Sequence, residues 1–325
     1  GDTGSAAIEA CRGRDRLTVV ILHPEGRTSD VQRRQMTTVL DSNITNLALK
    51  GTFDDCQDMV KAMFADAPFR QDMKLSAVNS INWARIAAQI PYYVYSALAL
   101  GAPDREISFA VPTGNFGNVL AAWVAKQMGL PIKHLCVGSN RNDILTRFLN
   151  SNDMSARQVV PSLSPSMDIQ VSSNFERLLF EFLGRDADAC AKLMTGFRST
   201  GKMDVPEKVW ESIHTLFSGL ALDDEQTEAQ IRSVHQNSQY LADPHTVIGI
   251  TAGRKFREPG VPMVAMATAH PAKFPDAMRA ATGITPALPP ALADLFDREE
   301  RFRVVDNALG TVEDAVRSAV LSNSH

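Results

Sequence analysis

Residues 107–137 restrict the fold more than any other part of the chain. Ile107–Val111 is an apolar run with strand character, Gly117–Met128 reads as a helix stopped at Gly129, and Lys133–Val137 is a second apolar strand. Strands joined through a helix lie parallel, because the crossover carries the chain back to its starting edge. Between the first strand and the helix stands Pro112-Thr113-Gly114-Asn115-Phe116-Gly117-Asn118. Glycines there let backbone N–H groups converge on one point without Cβ obstruction. The helix start adds unpaired N–H groups and the positive end of its dipole. This arrangement suits a phosphate. It is not a Walker loop, since no Gly-Lys-Ser/Thr follows, and it is not GxGxxG. A tight strand-to-helix turn with structural glycines explains the same residues, and spacing alone leaves both readings open.

The alternation of strands and helices extends through the chain. Leu17–Leu22, Asn46–Lys50 and Leu75–Val78 read as strands, and Ala6–Arg12 as a helix. Further helices open at the capping patterns Ser29-x-x-Gln32 (to about Leu40) and Thr52-x-x-Asp55 (through Phe64). Ile81–Ile90 and Tyr92–Leu100 are helices split at Pro91. Later, residues 151–168 are loop-like, Ser173-x-x-Glu176 caps a helix to Leu183, and residues 186–241 are mostly helical, most clearly Val205–Phe217 and Glu225–Leu241. Val261–Thr268 is a buried strand, Phe302–Val305 another strand, and Thr311–Leu321 a helix. The fold class is therefore α/β with two open parallel-sheet domains, as a length of 325 residues allows. Residues 1–100 form the smaller, and residues 101–325 the larger, with the phosphate-suited turn and a helical insertion near 186–241.

Composition removes several classes of function. A net charge of −4 offers no basic stripe for nucleic acid. Cys11, Cys56, Cys136 and Cys190 stand far apart with no CxxC pair, which points to a reduced, cytoplasmic protein with neither a disulfide framework nor a zinc site. The uncharged runs 86–103 and 107–125 carry Gln89 and Pro91, and Pro112, Gly114 and Gly117, so neither reads as a membrane span. The chain opens on Gly1-Asp2-Thr3-Gly4, a polar turn just before a helix, without an initiator Met. A first strand is expected upstream.

Four more turns carry polar chemistry. Gly1-Asp2-Thr3-Gly4-Ser5 precedes a helix and can hold a carboxylate, or simply N-cap that helix. Asn79-Ser80-Ile81-Asn82-Trp83-Ala84-Arg85 sets an arginine beside amide and hydroxyl donors, which makes either an anion site or a capped helix with a surface arginine. Met266-Ala267-Thr268-Ala269-His270-Pro271 ends a strand, where open α/β sheets bind ligands. Thr268 can meet a ring nitrogen or back-bond to its own strand; His270 reads as structural. Asp243-Pro244-His245-Thr246 reads first as a helix cap, and Asp223-Asp224-Glu225 as a solvated helix start. Neither a Ser-His-Asp order nor HExxH appears.

Taken in order, Gly1–Ala7, Val31–Thr38, Gly51–Gln57, Asn79–Arg85, Pro112–Asn118 and Thr268–Phe274 resemble the threonine synthases, pyridoxal-phosphate enzymes of the tryptophan-synthase-β-like fold (fold type II). The resemblance runs from the first residue to about residue 275. It implies a PLP-dependent lyase that converts O-phosphohomoserine and water to threonine and phosphate. Gly114, Asn115, Phe116, Gly117 and Asn118 would cradle the phosphate of pyridoxal 5'-phosphate. Thr268 would face the pyridine nitrogen. Asp2 would lie in the loop meeting the cofactor ring, with Thr3 toward the substrate carboxylate. Asn79, Ser80 and Arg85 would grip the substrate phosphate. The Schiff-base lysine would belong to a segment upstream of Gly1, and Lys273, although inside a family motif, is expected to have a structural or surface role. Strands of both domains would be missing with that segment. Two alternatives remain at this stage: a related phospho-lyase releasing a keto acid, and a non-catalytic fragment that binds a phosphometabolite. Nucleic-acid and membrane partners are not expected, and the protein would be a monomer or homodimer.

Overall fold

A computed structural model describes residues 2–78 and 82–323. Its strands among these residues are β1 (Val19–Pro24), β2 (Ile44–Leu49), β3 (Ile107–Pro112), β4 (Ile132–Ser139), β5 (Met154–Ser155), β6 (Lys202–Met203), β7 (Phe217–Ala221), β8 (Met263–Ala265) and β9 (Arg303–Val305). The chain divides into two compact units, residues 1–79 with 287–325, and residues 80–286. The sequence reading placed a boundary near 100 and kept the tail with the second domain. The tail instead completes the first unit, because β9 pairs in parallel with β2, Leu47 opposite Arg303 and Leu49 opposite Val305.

The first unit is a parallel sheet in the order β1-β2-β9 with helices on both faces. Side chains alternate along a strand, and the two cores follow that alternation. Val20, Leu22, Leu47 and Leu49 pack with Cys56, Met63 and Phe69, and with Val312 and Val316 of the helix Leu309–Ser322. Val19, Ile21 and Ile44 face the other way, onto Ile8 and Met36. Gly4 permits that second contact, since a Cβ there would stand 2.9 Å from Met36 Sδ and 3.3 Å from Ile21 Cγ2. The expected polar turn at residues 1–4 is therefore corrected: the helix Asp2–Cys11 already includes Thr3, Gly4 and Ser5, and packing at Gly4 accounts for its glycine. The expected strand Leu75–Val78 also does not form. Ser76, Ala77 and Val78 are exposed, and among the described residues no strand pairs with them.

Arg33 and Glu300 tie the tail to the start of the chain. The guanidinium Nε donates to Glu300 Oε2 at 2.9 Å and Nη2 to Oε1 at 3.0 Å, while Thr37 Oγ1 donates to Oε2 at 2.7 Å. These bonds, the Arg33 one foremost, hold the Glu300 carboxyl down to about 2. His23 lies nearby at the end of β1, only 4% exposed, edge-on to Phe302, and among the described residues neither ring nitrogen has a well-formed hydrogen bond, the Pro24 backbone giving only a weak one. Burial lowers its pKa, and Arg33 adds to that, against smaller opposing effects of the Pro24 backbone and Glu300. The fold thus favours the neutral ring, whereas the unfolded chain takes up a proton near the ordinary value. Stability of this unit is expected to fall as the pH drops through about 6.5, by at most about 1.4 kcal/mol per pH unit from this group. Urea midpoints at about pH 7.5 and 5.5 check it. His23→Leu should shrink the difference, and an equal difference in the variant would assign it to other groups.

The second unit is built on a parallel sheet in the order β7-β4-β3-β8. One face carries Phe109, Val111, Leu135, Val137 and Phe217 against the helices Gly117–Gln127, Ile144–Ser151 and Phe175–Phe182. The other is small-sided, Ala110 and Cys136, and receives the helix Pro244–Phe256. That helix sits close because Gly249 rests on Pro112 (a Cβ would be 2.8 Å from Cδ) and Gly253 on Ala110 (3.1 Å from Cβ). Two expectations change here. The region read as a helical insertion contains β7, a strand of the main sheet, and the helix expected over Val205–Phe217 is Glu207–His214, so Phe217 is the first residue of the strand. The strand read as Val261–Thr268 shortens to β8, which is half-buried because it forms the sheet edge. Among the described residues no helix is long and apolar enough to cross a membrane.

Candidate functional site

The second unit concentrates its polar groups at the carboxyl end of the sheet. Every residue of β3 is buried. As the strand ends, Thr113 N–H donates to Gly138 O at 2.8 Å and Thr113 Oγ1 to Val111 O at 2.7 Å, so the chain leaves the sheet with its backbone satisfied. Gly114 follows, pressed against the short 3-10 turn Pro165–Met167: a Cβ would stand 2.9 Å from Ser166 O and 3.1 Å from Met167 Cα. Its carbonyl accepts from Ser172 Oγ at 2.8 Å. Asn115 O accepts from Asn174 N at 3.1 Å and Nδ2 at 3.0 Å, and Asn115 Oδ1 from Ser173 Oγ at 3.2 Å.

Phe116 then takes the left-handed conformation, φ 63°, a costly choice for a bulky residue. Packing compensates, for its ring is 1% exposed and lies 5.6 Å edge-on to Phe175 and 5.9 Å from Phe217. Asn118 O and Oδ1 accept from Tyr93 Oη at 3.0 and 2.6 Å, and burial keeps the Tyr93 hydroxyl protonated by raising its pKa well above the ordinary value. The Phe116 ring and the Oδ1 atoms of Asn115 and Asn118 are thus taken up by the protein. The helix that starts at Gly117 has no side-chain cap, so its first-turn N–H groups and dipole are left for another acceptor. The turn fits the phosphate of a cofactor by its backbone rather than by charged side chains.

Thr268 lies three residues beyond β8, the strand paired to β3, with Met266 N–H still bonded to Ala110 O at 2.9 Å. Two of the expected cofactor contacts, the 114–118 turn and Thr268, therefore sit at the same end of adjacent strands. Thr268 is exposed, and its N–H donates to Thr246 Oγ1 at 3.2 Å. Arg85 is half-buried on the short helix Trp83–Ala87, whose start is capped by Asn82 Oδ1 accepting from Ala84 N at 3.0 Å. That helix packs on the helix Gly117–Gln127. Asn79 and Ser80 lie outside the described residues. Asp2 and Thr3 belong to the first unit, on the helix Asp2–Cys11 rather than in a loop. His270 is a cap, its Nδ1 accepting from Ala272 N at 3.2 Å, and Lys273 ends the 3-10 turn it opens. Sequence reasoning missed Ser172, Ser173 and Asn174. Ser173 reads as the cap of the next helix, yet the N-cap is Asn174, whose side chain makes no capping bond there, and the Ser173 hydroxyl goes to the phosphate-suited turn instead.

Comparison with known proteins gives a concordant result. Residues 1–195 match the family model described as pyridoxal-phosphate dependent enzyme, and residues 246–316 match threonine synthase, C-terminal. A threonine synthase of Pseudomonas aeruginosa is 55% identical over 315 residues, which are 96% of this chain and 67% of that protein. The structure of a PLP-bound threonine synthase from Brucella melitensis superimposes with a TM-score of 0.95 at 52% identity, over 98% of this chain and 69% of the other. The yeast threonine synthase structure gives 0.91 at 37% identity, over 98% and 68%.

Proposed function

The chain belongs to the threonine synthase family of pyridoxal-phosphate-dependent enzymes, and from that membership we propose that it serves to convert O-phospho-L-homoserine and water to L-threonine and phosphate. The observation that supports the reading is the helix start at Gly117 without a side-chain cap, at the carboxyl end of β3, the same end of the adjacent parallel strand from which the chain runs on to Thr268. Pyridoxal phosphate, when bound, supplies an electron sink for the negative charge that develops on the substrate. The backbone N–H groups of residues 114–118 hold the cofactor phosphate. Thr268 offers a neutral hydroxyl to the ring nitrogen, which leaves that nitrogen without a charged partner. Arg85, at the start of its helix, holds the substrate phosphate by charge-assisted hydrogen bonds and retains it as it leaves from Cγ. Water is then added at Cβ. The four cysteines are all free thiols, in keeping with a cytoplasmic setting.

Product analysis tests the proposal. The full protein supplied with O-phospho-L-homoserine and pyridoxal phosphate is expected to release threonine and inorganic phosphate in equal amounts. A keto acid as the main product would replace this reading with a phospho-lyase, and substrate binding without phosphate release would replace it with a binding module.

A further inference from the structure

We propose that Asp243, His245 and Thr246 are positioning residues for the cofactor, joining two walls of its site through the first turn of the helix Pro244–Phe256. The inference rests on the pyridoxal-phosphate reading above. Asp243 is the N-cap of that helix, its Oδ1 accepting from His245 N at 2.9 Å. A cap needs nothing more than this carboxylate. The next side chains nevertheless make bonds of their own, in two directions.

His245 Nδ1 stands 3.0 Å from Asp243 Oδ1, with both side chains buried. A proton on Nδ1, donated to the carboxylate, leaves the lone pair on Nε2. That lone pair accepts the Ser166 N–H at 3.3 Å. Ser166 is the residue whose carbonyl lies against Gly114. Asp243 therefore fixes the imidazole, the imidazole fixes Ser166, and Ser166 backs the phosphate turn. The ring is held in turn by Phe274, 4.9 Å away. Thr246, 2% exposed, turns toward the other wall: its Oγ1 accepts the N–H of Thr268 at 3.2 Å. Two adjacent residues of one helical turn thus set the backbone behind the cofactor phosphate and the backbone that carries the ring-nitrogen partner. The close seating at Gly249 and Gly253 fixes that turn against β3, so the distance between the two walls is set by the helix rather than by loops.

The test uses His245→Phe, Thr246→Val and, as the conservative control, Thr246→Ser in the full protein. Two readouts are needed: the affinity for pyridoxal phosphate by absorbance titration, and hydrogen exchange of the cofactor-free protein at the Ser166 and Thr268 amides. Each of the first two variants loses one buried hydrogen bond to a wall of the site, which corresponds to about a tenfold loss of affinity, and His245→Phe also loses the bond to Asp243. His245→Phe should speed exchange at Ser166 alone, Thr246→Val at Thr268 alone, and Thr246→Ser should restore both readouts. Should His245→Phe not fold, the near-isosteric Thr246→Val carries the test. Affinity within about twofold of wild type, with the amide released as expected, would overturn the inference. So would exchange rising at both amides together, since that marks general loosening of the helix. Wild-type protein that takes up no pyridoxal phosphate would overturn the cofactor reading itself, and the inference with it.

Discussion

Gly114→Val is expected to lower the affinity for pyridoxal phosphate by at least about a hundredfold, the equivalent of roughly 3 kcal/mol. A Cβ at this position would meet Ser166 O at 2.9 Å and Met167 Cα at 3.1 Å. Both are backbone atoms and cannot rotate aside, so either the 165–167 turn or the phosphate turn must move. The turn at 114 is also held from behind by Ser172, Ser173 and Asn174, so a displaced Gly114 carries those bonds with it. Sequence reasoning gave a different cause, a Cβ obstructing the approach of the ligand; the structure puts the obstruction on the protein side. The expected loss is read by titration of the cofactor, with thermal unfolding of the cofactor-free variant as the control. Wild-type retention of the cofactor would remove residues 114–118 from the site.

Arg85→Ala is expected to raise KM for the phosphorylated substrate by about a hundredfold while leaving cofactor affinity nearly unchanged. A charge-assisted bond to phosphate contributes about 1.5–3 kcal/mol, and a bidentate guanidinium reaches the upper end of that range. The separation of effects follows from the fold. Arg85 lies on its own short helix, whereas the turn at 114–118 is held by Tyr93, Ser172, Ser173 and Asn174. Steady-state kinetics and a cofactor titration on the same sample decide it. Loss of cofactor in the variant would place Arg85 in the other subsite, and an unchanged KM would remove it from the site. Arg85→Lys keeps the charge without the planar fork and should recover part of the loss.

What the sequence made legible depended on how local each signal was. The unit at 107–137 was readable because strand, turn and helix stop are contiguous, and the observed elements Ile107–Pro112, Gly117–Gln127 and Ile132–Ser139 match it closely. β7 was not readable: Phe217–Ala221 is short, directly follows a helix, and becomes a strand through pairing with β4, with Leu135 opposite Phe217. β9 was recognised as a strand but not assigned to its sheet, because its partner β2 lies some 250 residues earlier in the chain. The site divided along the same line. The glycine turn and Thr268 were marked by their own motifs, while Ser166 carries no motif and matters only through what folds onto it. Asp243-Pro244-His245-Thr246 was correctly read as a cap. The further bonds of His245 and Thr246 depend on loops 79 and 22 residues away in sequence.

The return of the tail to the first unit also sets an order of events on the ribosome. Residues 80–286 form one continuous segment, so β3, β4, β7 and β8 can pair with one another as soon as that segment has emerged. β1 and β2 emerge earlier, yet β2 lacks β9, and Leu47 and Leu49 lack Val312 and Val316 in their core, until the tail has been made. At about 5–20 residues per second that interval is on the order of tens of seconds. Residues 44–49 are therefore made before residues 80–286 but receive their β9 partner after them, and during that wait the β2 edge lacks β9.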